Sequence, residues 1–196
     1  FGDIVHGLQI ADSIRRQFEV QGERVQIDWV VRDIFADLLK QSPVVNRCFI
    51  FERKSGIKAF INLLKQIRYT YYDYVLDMQG LARSAILTLG TRAKTKIGRR
   101  DIREGAFIAY HKKISLPSGG KNSHALEILK KFLPALGLRE EIYWPLCFRE
   151  TAWTYARDAV SGPENVPHFN SCFALKAKDP KSFLFTRKER VSGPSS

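Results

Sequence analysis

Long apolar runs are missing from this sequence. No stretch approaches the roughly 18 residues that a membrane span requires, and the N-terminus lacks the charged-then-apolar order of a secretory signal. A soluble, cytoplasmic protein is therefore expected. Cysteine is sparse as well: Cys48, Cys147 and Cys172 are odd in number, widely spaced and without a C-x-x-C pair, which speaks against a disulfide framework and a thiolate zinc site and for three reduced thiols. Neither G-x-x-x-x-G-K-[ST] nor G-x-G-x-x-G occurs, so the usual phosphate-loop and dinucleotide fingerprints are excluded. Acids are in short supply, 20 Asp and Glu against 32 Lys and Arg, for a net charge of +12. Partners are expected to be anionic: nucleic acid, phosphates, acidic sugars or an anionic membrane surface. There is no initiator Met, and Phe1-Gly2-Asp3 passes at once into helical periodicity, so a preceding segment is expected.

What is present suffices for one core: 196 residues, 44% hydrophobic, the size of a single domain. Ile4, Leu8, Ala11, Ile14 and Phe18 recur at helical steps, with Arg15, Arg16 and Gln17 near the expected C-terminus. After Gly22, the run from Val25 to Val31 alternates and is β-branched, a strand, followed by a short helix over Ile34 to Leu39. Arg47 to Phe51 reads as a second strand. Ile57, Phe60, Ile61, Leu64 and Ile67 mark one face of a long helix. Tyr74 to Asp77 is a third strand, Leu81 to Leu89 a helix, and Lys96-Ile97-Gly98 a last inner strand. A helical stripe from Ala125 to Leu136 stops at Gly137, a residue suited to the left-handed cap. Strands alternating with helices predict an α/β fold, a Rossmann-like parallel sheet with helices on both faces. Residues 1–160 form this domain, and Gly162-Pro163, Pro167, Pro180 and the closing Gly193-Pro194-Ser195-Ser196 mark 161–196 as linker or disordered tail.

Three segments can carry chemistry. Asp3 sits where a loop becomes the first helix. It serves either as a helix N-cap, worth about 1 kcal/mol, or as a general base at the mouth of the sheet; His6 follows one turn on. Asp77-Met78-Gln79-Gly80 leaves an apolar strand at its carboxyl end, where open α/β sheets bind ligands. An Asp77 turn bonded to backbone amides explains the same residues equally well. Arg92, Lys94, Lys96, Arg99, Arg100 and Arg103 put six cations into twelve residues. A solvated face is the ordinary outcome of such a run; joined to Arg53 and Lys54 along one sheet edge, the run becomes a basic cleft for phosphate or carboxylate. The rival is nucleic acid, with Tyr69, Tyr71, Tyr72 and Tyr74 beside Arg68 as a stacking platform. No nucleic-acid module signature accompanies it, and the reading is disfavoured.

Taken in order, Gly2-Asp3-Ile4-Val5-His6, Ile27-Asp28-Trp29-Val30-Val31, Asp77 to Ala85, Ile102-Arg103-Glu104 and His124-Ala125-Leu126-Glu127 resemble the ADP-heptose:lipopolysaccharide heptosyltransferases over roughly residues 1–150. The resemblance implies the N-terminal, acceptor-binding half of a GT-B glycosyltransferase. It implies inverting, metal-independent transfer of heptose from ADP-heptose to an inner-core Kdo-lipid A acceptor, with Asp3 deprotonating the attacking hydroxyl. Such a transition state is oxocarbenium-like, and a positioned carboxylate can take the proton late. His6, Arg53, Lys54, Asp77, Gln79, Gly80, Arg99, Arg103 and His124 are the implied acceptor contacts. No cofactor or metal is implied. The partners are an acidic glycolipid, a sugar-nucleotide donor and, peripherally, the cytoplasmic face of the inner membrane.

Two departures from that family shape the expectation. Relatives begin with a strand such as K-I-L-L-I-K ahead of the Gly-Asp motif, and without it the sheet would lose its middle. After about Val166 the donor-binding domain is not recognisable, so the chain alone is expected to be inactive. The alternative kept open is a basic nucleic-acid-binding or regulatory α/β module without catalysis.

Overall fold

The computed structural model describes residues 2–52, 55–100, 106–143, 146 and 172–177. Helix α1 (Gly2–Val20) leads through a tight turn into strand β1 (Val25–Arg32). A 3-10 turn (Asp33–Phe35), helix α2 (Ala36–Lys40) and strand β2 (Arg47–Phe51) follow. Then come α3 (Gly56–Tyr69), β3 (Tyr71–Asp77), α4 (Ala82–Gly90), β4 (Arg92–Arg99), β5 (Lys112–Ile114), α5 (Ala125–Lys130), α6 (Phe132–Ala135) and β6 (Cys172–Ala177). The six strands form one sheet in the order β2-β1-β6-β3-β4-β5.

Five of these strands are mutually parallel, as the alternation of strand and helix requires, and β6 alone runs antiparallel. It lies in the centre, pairing Val25–Val30 of β1 on one side and Tyr74–Asp77 of β3 on the other. Two expectations change here. Residues 172–177 fall inside the stretch read as linker or tail, yet form a strand; the rest of 161–196 lies outside the described residues. The sheet does not lose its middle, because β6 supplies it. The facing edges of β1 and β3 would otherwise leave buried amides and carbonyls unpaired, at a cost comparable to a lost hydrogen bond for each.

Helices cover both faces. Strand alternation sends Ile27, Trp29 and Val31 into a core with Ile4, Leu8, Ile14 and Phe18 of α1, Leu129 of α5 and Phe132 and Leu133 of α6. Val30 and Val75 enter a second core with Leu63 and Ile67 of α3 and Leu87 of α4. Each fully buried Ile or Leu contributes about 1.5–3 kcal/mol. The buried stripe of α3 is Phe60, Leu63, Leu64 and Ile67. Ile61 is one position off it, and Ile57, although on it, falls in the first turn; both stay exposed. Helix α1 runs past Arg15 and Arg16, so neither lies in its last turn. Arg15 instead pairs with Glu19 and donates to the Pro43 carbonyl, and Arg16 pairs with Asp12. The expected helix over 125–136 is broken into α5 and α6, and Gly137 closes it with φ +78°.

A buried polar cluster ties the amino ends of three strands together. Asp28 of β1 accepts from Arg47 Nε at 3.0 Å and from Tyr72 Oη at 2.8 Å, and Arg47 Nη2 reaches both Asp28 and Thr70. Burial and the neighbouring carboxylate push the Tyr72 phenol well above its usual range. Tyr72 is fully buried and Tyr74 packs against the core, while Tyr69 and Tyr71 are exposed. The four tyrosines therefore do not form one stacking platform.

Candidate functional site

The carboxyl ends of the five parallel strands share one edge, where Gln79 and Gly80 follow β3 and Arg99 ends β4. The short connection from α1 to β1 reverses the chain, so the N-terminus of α1 returns to the same edge. Asp3 lies in the first turn of α1, inside the helix rather than ahead of it as an N-cap.

One turn on, His6 meets His124 edge to face, ring centroids 5.1 Å apart. Two motifs from opposite ends of the domain are thus in contact. His124 is the N-cap of α5, its Nδ1 accepting from the Leu126 amide at 3.3 Å. A neutral ring bonded this way carries its proton on Nε2. His6 Nδ1 lies 3.1 Å from Gln9 Oε1, which assigns the proton of His6 to Nδ1 and leaves Nε2 an acceptor. One imidazole donor and one imidazole acceptor side by side suit a hydroxyl, which can both receive and give a hydrogen bond. Gln9 is fully buried beneath them and its Nε2 has no partner. Periodicity had placed Gln9 on the first helix without marking it; only its i+3 relation to His6 hints at the pairing.

The loop after β3 is built around Asp77. Its Oδ1 accepts from the amides of Gln79 and Gly80, both at 3.0 Å, and its Oδ2 from Tyr110 Oη at 2.6 Å. Gly80 completes the turn with φ +67°, a conformation that side chains disfavour. The carboxyl is fully buried. Burial raises its pKa above the ordinary range, opposed by hydrogen bonds from Tyr110, the Gly80 amide, Ser84 and the Gln79 amide. Of the two roles open for Asp77, the geometry is that of the turn: its oxygens hold the loop, and Gln79 and Gly80 are what the loop presents. Tyr110 reaches Asp77 only because residue 98 is glycine, where a Cβ would stand 2.3 Å from the ring. Tyr110 had no sequence signal.

The basic run divides. Strand β4 begins at Arg92 and ends at Arg99, so these residues stand about 23 Å apart at roughly 3.3 Å per residue. Arg92 and Lys94 belong to the opposite edge. Lys96 is tied down by its ammonium, which donates to the Leu89 carbonyl at 2.7 Å. Desolvation, with Arg68 nearby, lowers its pKa. Arg99 and Arg100 alone of the described cations in this run reach the carboxyl edge. Arg53, Lys54 and Arg103 lie outside the described residues. The edge also holds Arg32, whose Nε and Nη1 are buried without a partner, and Gln79, whose Oε1 is likewise unpartnered. Among the described residues no His, Cys, Asp and Glu group is arranged to hold a metal ion, and no helix is long and apolar enough to cross a membrane.

Residues 60–150 match glycosyltransferase family 9 (heptosyltransferase). The lipopolysaccharide core heptosyltransferase OpsX of Haemophilus influenzae is 25% identical over 181 residues, 91% of this chain and 50% of that protein. Lipopolysaccharide heptosyltransferase 1 of Campylobacter coli is 28% identical over 88 residues, 44% of this chain and 25% of that protein. The chain thus spans at most half the length of these curated relatives. In fold it matches the Escherichia coli heptosyltransferase WaaC solved with ADP, with a TM-score of 0.59 and 26% identity over 73% of this chain and 46% of that one. The same enzyme with ADP-2-deoxy-2-fluoro heptose gives 0.59 and 25%, over 73% and 47%. The resemblance read from the motifs therefore holds in sequence and in fold, and the Rossmann-like, GT-B-type fold class stands.

Proposed function

We propose that this chain is the acceptor-binding half of an inverting, metal-independent heptosyltransferase that moves heptose from ADP-heptose to Kdo-lipid A. The observation that carries this reading is the contact of His6 with His124, which joins the Gly-Asp-Ile-Val-His and His-Ala segments at the carboxyl edge of the sheet. His6 Nε2 and the Nε2–H of His124 align the attacking hydroxyl, and Asp3, in the same first turns of α1, takes its proton as the bond to the anomeric carbon forms. Proton removal of this kind contributes typically 10²–10⁴-fold. Gln79 and Gly80, held by Asp77, line the acceptor side, and Arg99 with Arg100 meets its anionic groups. The donor is held by a domain outside this chain. The enzyme acts in the cytoplasm against the inner membrane, whose acidic lipids suit the +12 charge.

Transfer is measured with the chain joined to a donor-binding domain, using ADP-heptose and Kdo-lipid A. Asp3→Asn is expected to lower kcat by roughly 10²–10⁴ while leaving KM for acceptor within a few-fold. Unchanged turnover would remove Asp3 as the base.

A further inference from the structure

We infer that the face formed by α3 and α4 is the one that rests on an anionic bilayer, its isoleucines entering the lipid interface and its cations meeting the headgroups. The inference rests on the reading of the acceptor as a lipid-borne sugar and gives that reading a surface.

The two sides of the sheet differ in charge. Helices α1 and α5, on one side, carry Asp12, Glu19 and Glu127, each paired with a neighbouring Arg or Lys. Helices α3 and α4, on the other, contain no acid, and neither 53–72 nor 78–100 holds an Asp or Glu. Lys58, Lys65, Arg68 and Arg83 are exposed there. So are apolar side chains that the core does not use: Ile57, Ile61, Ile86 and Leu89, with Ile108 in the 3-10 turn Ala106–Ala109 that packs on α4. Exposed apolar groups rimmed by polar ones mark interaction surfaces.

Helical spacing brings these side chains together. Ile57, Ile61, Leu64 and Arg68 fall on one stripe of α3 at steps of four and three. That stripe faces α4, because a Cβ on Gly90 would stand 2.3 Å from Leu64, and Arg68 Nη1 donates to the Gly90 carbonyl at 3.2 Å. Ile86 lies one turn before Gly90 on the same stripe of α4. Both helices run back from the carboxyl edge, so counting four residues from the contact sets Ile86 about level with Phe60 and Ile61. The isoleucines of the two helices therefore line one seam, with Lys58, Lys65 and Arg83 around it.

An anionic bilayer uses both parts of this face, since interfacial binding sums buried apolar area and attraction to acidic lipids. A second copy would set cations against cations, and a soluble polyanion has no use for the isoleucines. The placement also serves the reaction. α4 begins two residues after Gly80, so the face adjoins the edge where Gln79 and Gly80 stand, and an acceptor anchored in the bilayer presents its sugar there.

The test is cosedimentation of the 196-residue chain, without acceptor, with vesicles of phosphatidylglycerol and phosphatidylcholine in equal parts and with phosphatidylcholine alone. The unaltered chain should bind the mixed vesicles and not the neutral ones. Lys58→Gln with Lys65→Gln should weaken binding roughly 25-fold, at about fivefold per cation, and Ile57→Ser with Ile86→Ser about tenfold. Lys130→Gln with Lys131→Gln removes the same charge from the opposite side and should change binding less than about twofold. Urea midpoints of the variants confirm that each still folds. No binding to the mixed vesicles overturns the inference, and so does an equal loss from the two lysine pairs, which is net charge alone. Binding indifferent to the isoleucine pair assigns the face to a soluble polyanion such as nucleic acid and overturns it as well. A dimer that forms without vesicle binding and is lost with the isoleucines assigns it to a second copy, with the same result. Turnover of Asp3→Asn decides the acceptor reading separately.

Discussion

Replacing Tyr110 by Phe removes one hydroxyl and no packing volume to speak of, and it tests the arrangement that shapes the loop after β3. Tyr110 donates to a fully buried carboxylate at 2.6 Å. Hydrogen bonds to charged groups contribute about 1.5–3 kcal/mol and neutral ones about 0.5–1.5. The sign follows from Asp77, whose pKa burial raises above the ordinary carboxylate value near 3.9. Below the unfolded value the carboxyl is protonated in both states and its contribution to stability is fully present. As pH rises through the folded value that contribution is lost, because the ionised form suffers burial in the fold and not in the unfolded chain. Tyr110 limits the loss by bonding the ionised form, so Tyr110→Phe should cost little at pH 4 and about 2–3 kcal/mol at pH 8. With a urea slope of about 2 kcal/mol per molar, the midpoint should fall by about 1 M at pH 8 and by less than half of that at pH 4. Equal shifts at the two pH values would refute the claim that the phenol serves the charged carboxylate.

The cluster at the amino ends of the strands gives a second expectation. Arg47→Met leaves Asp28 buried with only Tyr72 as donor; breaking a buried pair costs about 3–5 kcal/mol, reduced to about 2 because the arginine is half in solvent. A urea midpoint unchanged within error would show that the pair carries no stability. Cys48 gives a third. Burial pushes its thiol up to about 11, two units above an ordinary thiol, so its alkylation at pH 8 should run about a hundredfold slower than that of an unhindered cysteine and should accelerate as pH rises toward 11. Peptide mapping distinguishes it from Cys147 and Cys172, and labelling at the free-thiol rate would contradict the burial.

Strands with apolar alternation were legible and those without it were not. Val25 to Val31 and Arg47 to Phe51 announce themselves through β-branched and aromatic residues, and both appear within a residue of the expected bounds. In β4, Arg92, Lys94 and Lys96 alternate with Ala93, Thr95 and Ile97. The cations drew attention as a charge run, so the strand was expected only over 96–98 and its first half, from Arg92 to Thr95, was not read. β5 is three residues, two of them lysines, too short for any period. The site divides in the same way. Ordered motifs brought His6 and His124 forward, but their contact depends on α5 packing against α1, which no local pattern encodes. Asp77 shows the limit from the other direction: its spacing to Gly80 permits both a turn and a ligand contact, and only the arrival of Tyr110 from a distant segment consumes the second oxygen.

The central strand carries the argument furthest from local pattern. β6 lies between Pro167 and Pro180 in sequence, and its partners are β1 and β3, far back in the chain. Proline-bounded segments read as linker because propensity sees only neighbours, whereas a strand in the middle of a sheet is stabilised by pairing on both edges. Without β6, the pair β2-β1 and the trio β3-β4-β5 share no backbone hydrogen bonds. With it, pairing on both edges of 172–177 joins the two groups into one sheet.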